Sequence, residues 1–194
     1  ALMHQPRHFA AAERLVPLRV AIGKRPPIAT LELLWSCCPG GHLQVSGFVH
    51  APTEALIHTS LAQVETPEVI TIKGLEGGVD LPISRVAIAA HRRSGTSERL
   101  ILQARDHGLH GPEVGLSTVA EWRLQALAAL QGDGALLEAL IWNGGFHLWR
   151  NGLAADLGAG LTAAEALLRQ GEVEALRLRI GEELAGDSPG GAGA

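Results

Sequence analysis

The chain has 194 residues, 46% of them hydrophobic, and a formal net charge of −4. That length fits one ordinary domain or one large lobe of a longer protein, and the apolar content excludes an intrinsically disordered chain. The mild negative charge gives no global electrostatic case for nucleic acid, and no run of roughly eighteen uncharged apolar residues is present to span a membrane.

Aromatic residues are scarce (four Trp, three Phe, no Tyr), so the core must be built from Leu, Ala, Val and Ile. The thiols are the adjacent Cys37 and Cys38. Neighbouring cysteines rarely bridge and no second pair completes a zinc site, so they read as small, semi-buried apolar residues in a reducing, cytoplasmic compartment. The chain opens at Ala1 and meets charge at Arg7 without a secretory leader pattern, which suggests a partial sequence.

Pro6–Ile22 has the spacing of a helix, with Phe9, Leu15, Leu18 and Ile22 on one face. Pro17 should kink or split it, and Gly23 should end it. Thr30 is a good cap for a short helix over Leu31–Trp35, and Pro39-Gly40-Gly41 makes a turn. Leu43, Val45, Gly47 and Val49 alternate as in a strand. Pro52 suits the first position of a helix over Thr53–Gln63, with Glu54 at its positive end. Val69–Lys73 is a short β-branched strand, and the β-helix-β spacing is that of a right-handed parallel crossover.

The loop Gly74–Pro82 follows that strand, where ligands of open α/β sheets gather. Further strands are expected at Arg85–Ala90 and Leu100–Ala104. The segment Ala90–Arg105 carries His91, Arg92, Arg93, Arg99 and Arg105, the main basic concentration, read as a solvated surface. Four helices should follow, at Ser117–Leu130, Ala135–Trp149, Ala154–Gln170 and Glu172–Leu184, with Gly171 dividing the last two. The Gly-, Ala- and Pro-rich segment Asp187–Ala194 reads as a disordered tail. No Ser-His-Asp, HExxH or CxxC arrangement occurs, and the nine histidines are scattered.

Several segments carry a family likeness. Ala129-Leu130-Gln131-Gly132, Leu136-Leu137 through Asn143-Gly144-Gly145, Gly152 through Leu157 and Gly160-Leu161 follow one another with Arg169–Glu172 in the closing turn. Upstream stand Leu15-Val16-Pro17-Leu18-Arg19 with Ile22-Gly23-Lys24-Arg25, and the strand and loop Val69–Asp80. In this order, over nearly the whole chain, they resemble glycosyltransferase family 3, the anthranilate phosphoribosyltransferase-like pentosyltransferases.

The resemblance implies an α/β fold over residues 1–186. Its expected form is a mixed, mostly parallel sheet flanked by helices, as in the large domain of the nucleoside phosphorylase/phosphoribosyltransferase fold. The small helical domain that accompanies this lobe, and through which the family forms homodimers, is expected to be absent here. The implied activity is transfer of a phosphoribosyl group from phosphoribosyl pyrophosphate to an aromatic acceptor, as in tryptophan biosynthesis, with Mg2+. Lacking the family's Gly-rich pyrophosphate cradle, the chain alone is expected to be inactive.

By position in the motifs, Arg19 and Arg25 would bind substrate, and no residue is assigned a covalent or acid–base role. Asp80 matches the first acid of the family's metal-binding pair, with Glu76 a substitute for the second, whose place Leu81 takes. The family's Asn and Gly-Pro acceptor positions hold Ala29, Glu32 and Leu33 here, and the histidine ahead of the first helix falls at Phe9, one past His8. These departures leave two alternatives: a non-biosynthetic paralogue that binds nucleic acid through Arg92 and Arg93, or an inactive remnant.

Overall fold

Pro17 splits the first helix, as its missing N–H and fixed φ require. In the computed structural model, which describes residues 9–23, 34–36, 38, 40–64, 68–111 and 118–186, α1 is Ala10–Glu13 and α2 is Val16–Ile22. Pro17 sits in the first turn of α2, and Gly23 closes it in the left-handed region at φ 66°. Arg25, Glu32, the helix start expected at Thr30 and the tail Asp187–Ala194 fall outside the described residues. Cys38 is exposed rather than semi-buried.

The described chain divides into two units, one reaching Asp80 and including Ala87–Ile101, the other holding Leu81–Val86 and the chain from Leu102 onward. The first unit contains the sheet, in the order β1-β2-β3-β4. Strand β1 (Leu43–Gly47) leads through α3 (Ala51–Gln63) to β2 (Glu68–Ile72), which lies parallel beside it with Val45 opposite Ile70. Strand β3 (Ala87–Arg93) runs antiparallel to β2 and turns into β4 (Thr96–Leu102). The two-residue turn is Ser94-Gly95, at φ 48° and 79°, the positive-φ pair that suits a hairpin's twist.

The sheet is therefore mixed and helix-flanked, as expected, with a smaller parallel share than foreseen. The reason is local. The stretch 91–99, read as basic surface, is strand and hairpin, so the chain returns antiparallel at once instead of crossing over. Val69, Ile70 and Ile72 are all fully buried, which identifies β2 as a central strand covered on both faces. Phe48, Ile57, Leu61 and Val69 form the apolar contact between α3 and the sheet.

The second unit is helical: α4 (Val119–Leu130), α5 (Leu137–Arg150), α6 (Leu157–Arg169) and α7 (Glu172–Gly186). Caps set the starts. The Thr118 hydroxyl accepts from the Glu121 N–H at 3.1 Å, and the Asp156 carboxylate accepts from the Ala159 N–H at 2.8 Å. Helices α5 and α6 cross closely, because a Cβ on Gly160 would stand 2.3 Å from the Gly145 carbonyl oxygen. Trp142 and Phe146 of α5 are completely buried beside that crossing's apolar layer of Ile141, Leu157, Leu161, Ala164 and Leu168.

Candidate functional site

The loop after β2 is shaped by glycine. After Lys73 and Gly74 the backbone makes a tight turn over Leu75–Gly78, closed by the Gly78 N–H donating to the Leu75 carbonyl at 2.8 Å. Its two central residues, Glu76 (φ 53°, ψ 19°) and Gly77 (φ 80°), are both left-handed, the signature of a type I′ turn. Glu76 is strained there, since left-handed backbone is unfavourable for a residue with a Cβ. A Cβ on Gly74 would meet the Gly78 carbonyl oxygen at 1.9 Å, so the loop closes only over a glycine.

Glu76 and Asp80 both project from this loop into solvent. The next residue changes environment entirely. Leu81, in the position of the family's second acid, is 2% exposed. Its N–H donates to Asn143 Oδ1 at 2.7 Å, and its carbonyl accepts from Asn143 Nδ2 at 3.2 Å. Asn143 on α5, noted above only as part of a motif, is thus a side-chain clamp on irregular backbone. A buried apolar residue cannot ligate a cation, so no acid pair forms here.

Among the described residues no three His, Cys, Asp or Glu side chains gather into a metal-binding group. That donor set does not suit a cation held by protein alone. It does fit magnesium shared with phosphate oxygens, which takes one or two carboxylates and keeps the rest of its octahedron for phosphate and water. Asp80 and Glu76 are the exposed carboxylates of this loop.

Arg19 lies in the last turn of α2, half-buried, with its carbonyl accepting from the capping Gly23 N–H at 3.2 Å. A cationic side chain in the last turn is favoured by the helix dipole.

The basic segment is not the uniform solvated surface expected. Arg99 grips buried Glu54 with two bonds of 2.9 Å, and the Thr71 hydroxyl donates to the same carboxylate at 2.9 Å. Arg93 pairs with Glu68 at 2.7 Å, and His91, 4% exposed, lies 3.4 Å from Glu68. The hydrogen bond from Arg93 holds the Glu68 carboxyl below the usual carboxylate range against a partial burial cost. Acidic partners thus neutralise Arg93 and Arg99 within the fold, which does not support the nucleic-acid alternative.

His58 on α3 completes this network. The single Thr71 proton goes to Glu54, so His58 Nε2 must carry the hydrogen at its 3.2 Å contact with Thr71 Oγ1. Its Nδ1 is buried without a hydrogen-bond partner. Burial lowers the His58 pKa below 6.5; Glu54 opposes the shift, and Arg92 and Arg99 add to it. Two cavities lie in the second unit. One of about 300 Å³ is walled by Leu140, Leu148, Leu167 and Leu168, and another of about 410 Å³ by Arg85, Arg105 and His110.

No family profile matches the chain. It is 24% identical over 193 residues to the anthranilate phosphoribosyltransferase of Neisseria meningitidis, covering 96% of this chain and 53% of that one. With the same enzyme of Verminephrobacter eiseniae it is 22% identical over 173 residues, 87% of this chain and 50% of the relative. The chain therefore spans about half the length of the curated relatives it matches. Among solved structures it superposes on anthranilate phosphoribosyltransferase from Thermus thermophilus with a TM-score of 0.63 at 22% identity, over 88% of this chain and 51% of the other. The Saccharomyces cerevisiae enzyme in complex with 4-fluoroanthranilate gives 0.66 at 14% identity, over 82% and 48%. A variant of that enzyme with Mg bound gives 0.67. The relatives and neighbours are thus the proteins whose motifs the sequence resembles, and the shared fold is the one expected. No helix among the described residues is long and apolar enough to cross a membrane.

Proposed function

We propose that this chain, similar in sequence and fold to anthranilate phosphoribosyltransferases, is the α/β body of a phosphoribosyltransferase with an aromatic acceptor. The observation that carries the proposal is the glycine-closed loop beyond the carboxyl end of β2, on which Glu76 and Asp80 are both exposed. In the reaction, a bond forms from the acceptor nitrogen to the anomeric carbon of the ribose as the carbon–oxygen bond to pyrophosphate breaks, and pyrophosphate leaves with the electron pair. Mg2+ would supply charge neutralisation on that leaving group.

The chain's own part is placement. Asp80 and Glu76 would hold the metal-bearing pyrophosphate, and Arg19, with Arg25, would orient the acceptor carboxylate. Leu81 in the second acid position leaves a weaker metal site than the family motif describes. A second phosphate-binding loop is lacking among the described residues, so the 194 residues alone are expected to form no product from phosphoribosyl pyrophosphate and anthranilate. Residence in the cytoplasm and pairing through a helical domain belong to the same reading.

Calorimetry with Mg2+ and inorganic pyrophosphate tests it. Asp80→Asn should weaken metal-dependent pyrophosphate binding at least tenfold, about 1.4 kcal/mol, with thermal unfolding unchanged because the loop carboxylate is exposed. Equal affinity in both proteins would reduce Asp80 to a turn residue, and turnover by the chain alone would overturn the expected inactivity.

A further inference from the structure

We propose that Gly47, the last residue of β1, is a positioning residue that sets where the acidic loop stands, and through it the placement of Glu76 and Asp80. The inference rests on the phosphoribosyltransferase reading for the loop's purpose, and on geometry alone for Gly47's effect.

A Cβ added to Gly47 would lie 2.0 Å from the Gly77 carbonyl oxygen, 2.4 Å from that of Gly78 and 2.7 Å from the Gly77 carbonyl carbon. Real Cβ atoms essentially never come within 3.0 Å of another heavy atom in this way. All three obstacles are backbone, so no rotamer change relieves the clash. Nor is the glycine there for its torsion angles: it sits within a regular strand, outside the positive-φ positions. Space is what it provides, and the thing occupying that space is the loop.

The strand cannot be the part that yields. Gly47 pairs with Ile72, the end of central strand β2, and the adjoining Phe48 N–H donates to the Ile72 carbonyl at 2.9 Å. Ile72 and Phe48 are both buried. The loop segment 75–80, by contrast, is largely exposed, is closed by the turn hydrogen bond from Gly78 to Leu75 and carries the strained Glu76. A methyl at position 47 therefore lifts Gly77 and Gly78 by at least about 1 Å, more than a metal site tolerates in its ligands. Asp80 Oδ2 stands 4.0 Å from the position of a Gly78 Cβ, so the displaced backbone directly underlies the carboxylate.

The test combines loop exchange with a double-mutant cycle on Mn2+ binding in the presence of inorganic pyrophosphate. Gly47→Ala should speed amide hydrogen exchange across residues 75–80 while Ile70 and Ile72 stay protected. It should weaken Mn2+ binding at least about tenfold in the wild-type background, and less than about twofold once Asp80→Asn is present, since both changes act on one ligand. Should Gly47→Ala fail to fold, Val49→Ala serves instead: Val49 Cγ2 stands 3.6 Å from where a Gly77 Cβ would be, so the variant removes side-chain support beside the loop, and faster exchange across residues 75–80 is expected at smaller size.

Unchanged exchange, or fully additive effects in the cycle, would overturn the proposal while leaving Asp80 as a ligand. If Asp80→Asn binds Mn2+ as well as wild type, the metal reading falls and takes the role of Gly47 with it.

Discussion

In the first unit, α3 meets the sheet through Ile57 and Leu61 but also carries Glu54 inward to 6% exposure, where Arg99 and Thr71 complete its hydrogen bonds. In the second unit, α5 and α6 meet through Gly144, Gly145, Gly160 and Ala164, with no ionised group in the crossing. The first contact is directional, because a desolvated carboxylate tolerates only a geometry in which every oxygen is satisfied. The second is steric, since the backbones approach until a single added methyl would collide. One interface is therefore sensitive to charge and pH, and the other to volume alone.

The steric contact should break hardest. Gly160→Leu forces α5 and α6 apart and is expected to cost about 3 kcal/mol in urea unfolding, the upper range for overpacking. Gly181→Ala on α7, where a Cβ meets nothing within 4 Å, should instead gain about 0.5–1 kcal/mol from helix propensity. A loss there of the same size as at Gly160 would show that adding a side chain to a helical glycine destabilises this unit irrespective of the crossing.

The charged contact should break less severely. Arg99→Leu strands a buried carboxylate and is expected to cost about 2 kcal/mol, below the full penalty for a buried pair because Arg99 itself is half exposed. Glu54→Leu with Arg99→Leu should recover most of that loss. A double variant as unstable as the single would mean that Glu54 is held by something other than its guanidinium partner.

The smallest effect is the pH dependence. Above about 6.5 His58 is neutral whether the chain is folded or not, and it adds no slope. As pH falls below that value the unfolded chain takes up the proton first, so stability declines until the folded His58 also protonates at its lowered pKa. Glu68 acts in a separate, more acidic window, where the stability from its lowered pKa is lost as pH drops below about 4.5. His58→Gln should flatten the upper window and leave the lower one. Persistence of the upper slope in that variant would assign it to another group.

Much of the fold was legible from local chemistry. Pro17 announced the division of the first helix and Pro52 the start of α3, whereas the caps Thr118 and Asp156 emerged only with the structure, one and two residues past the expected helix starts. The hairpin was also written locally, in Ser94-Gly95, but the charged residues around it give the pattern of a solvated surface. For the candidate site, the loop and its acids were found by motif, while Gly47 was passed over as one more alternating strand residue. A glycine inside a strand is itself a signal of close backbone approach, and it could have been used.

What the sequence determined alone was which stretches fold as helix or strand and which known proteins they resemble, because caps, prolines and periodicity act over a few residues. Tertiary structure decided what those stretches are for. It buried Leu81 where a second metal ligand would stand, with Asn143 from 62 residues away holding its backbone. It bound Arg99 to Glu54 across 45 residues, turning an apparent basic surface into a neutral interface. It laid the Gly77 and Gly78 carbonyls over Gly47. Each of these is a meeting of distant segments at hydrogen-bond or van der Waals distance, and no local pattern of residues specifies which distant atom arrives.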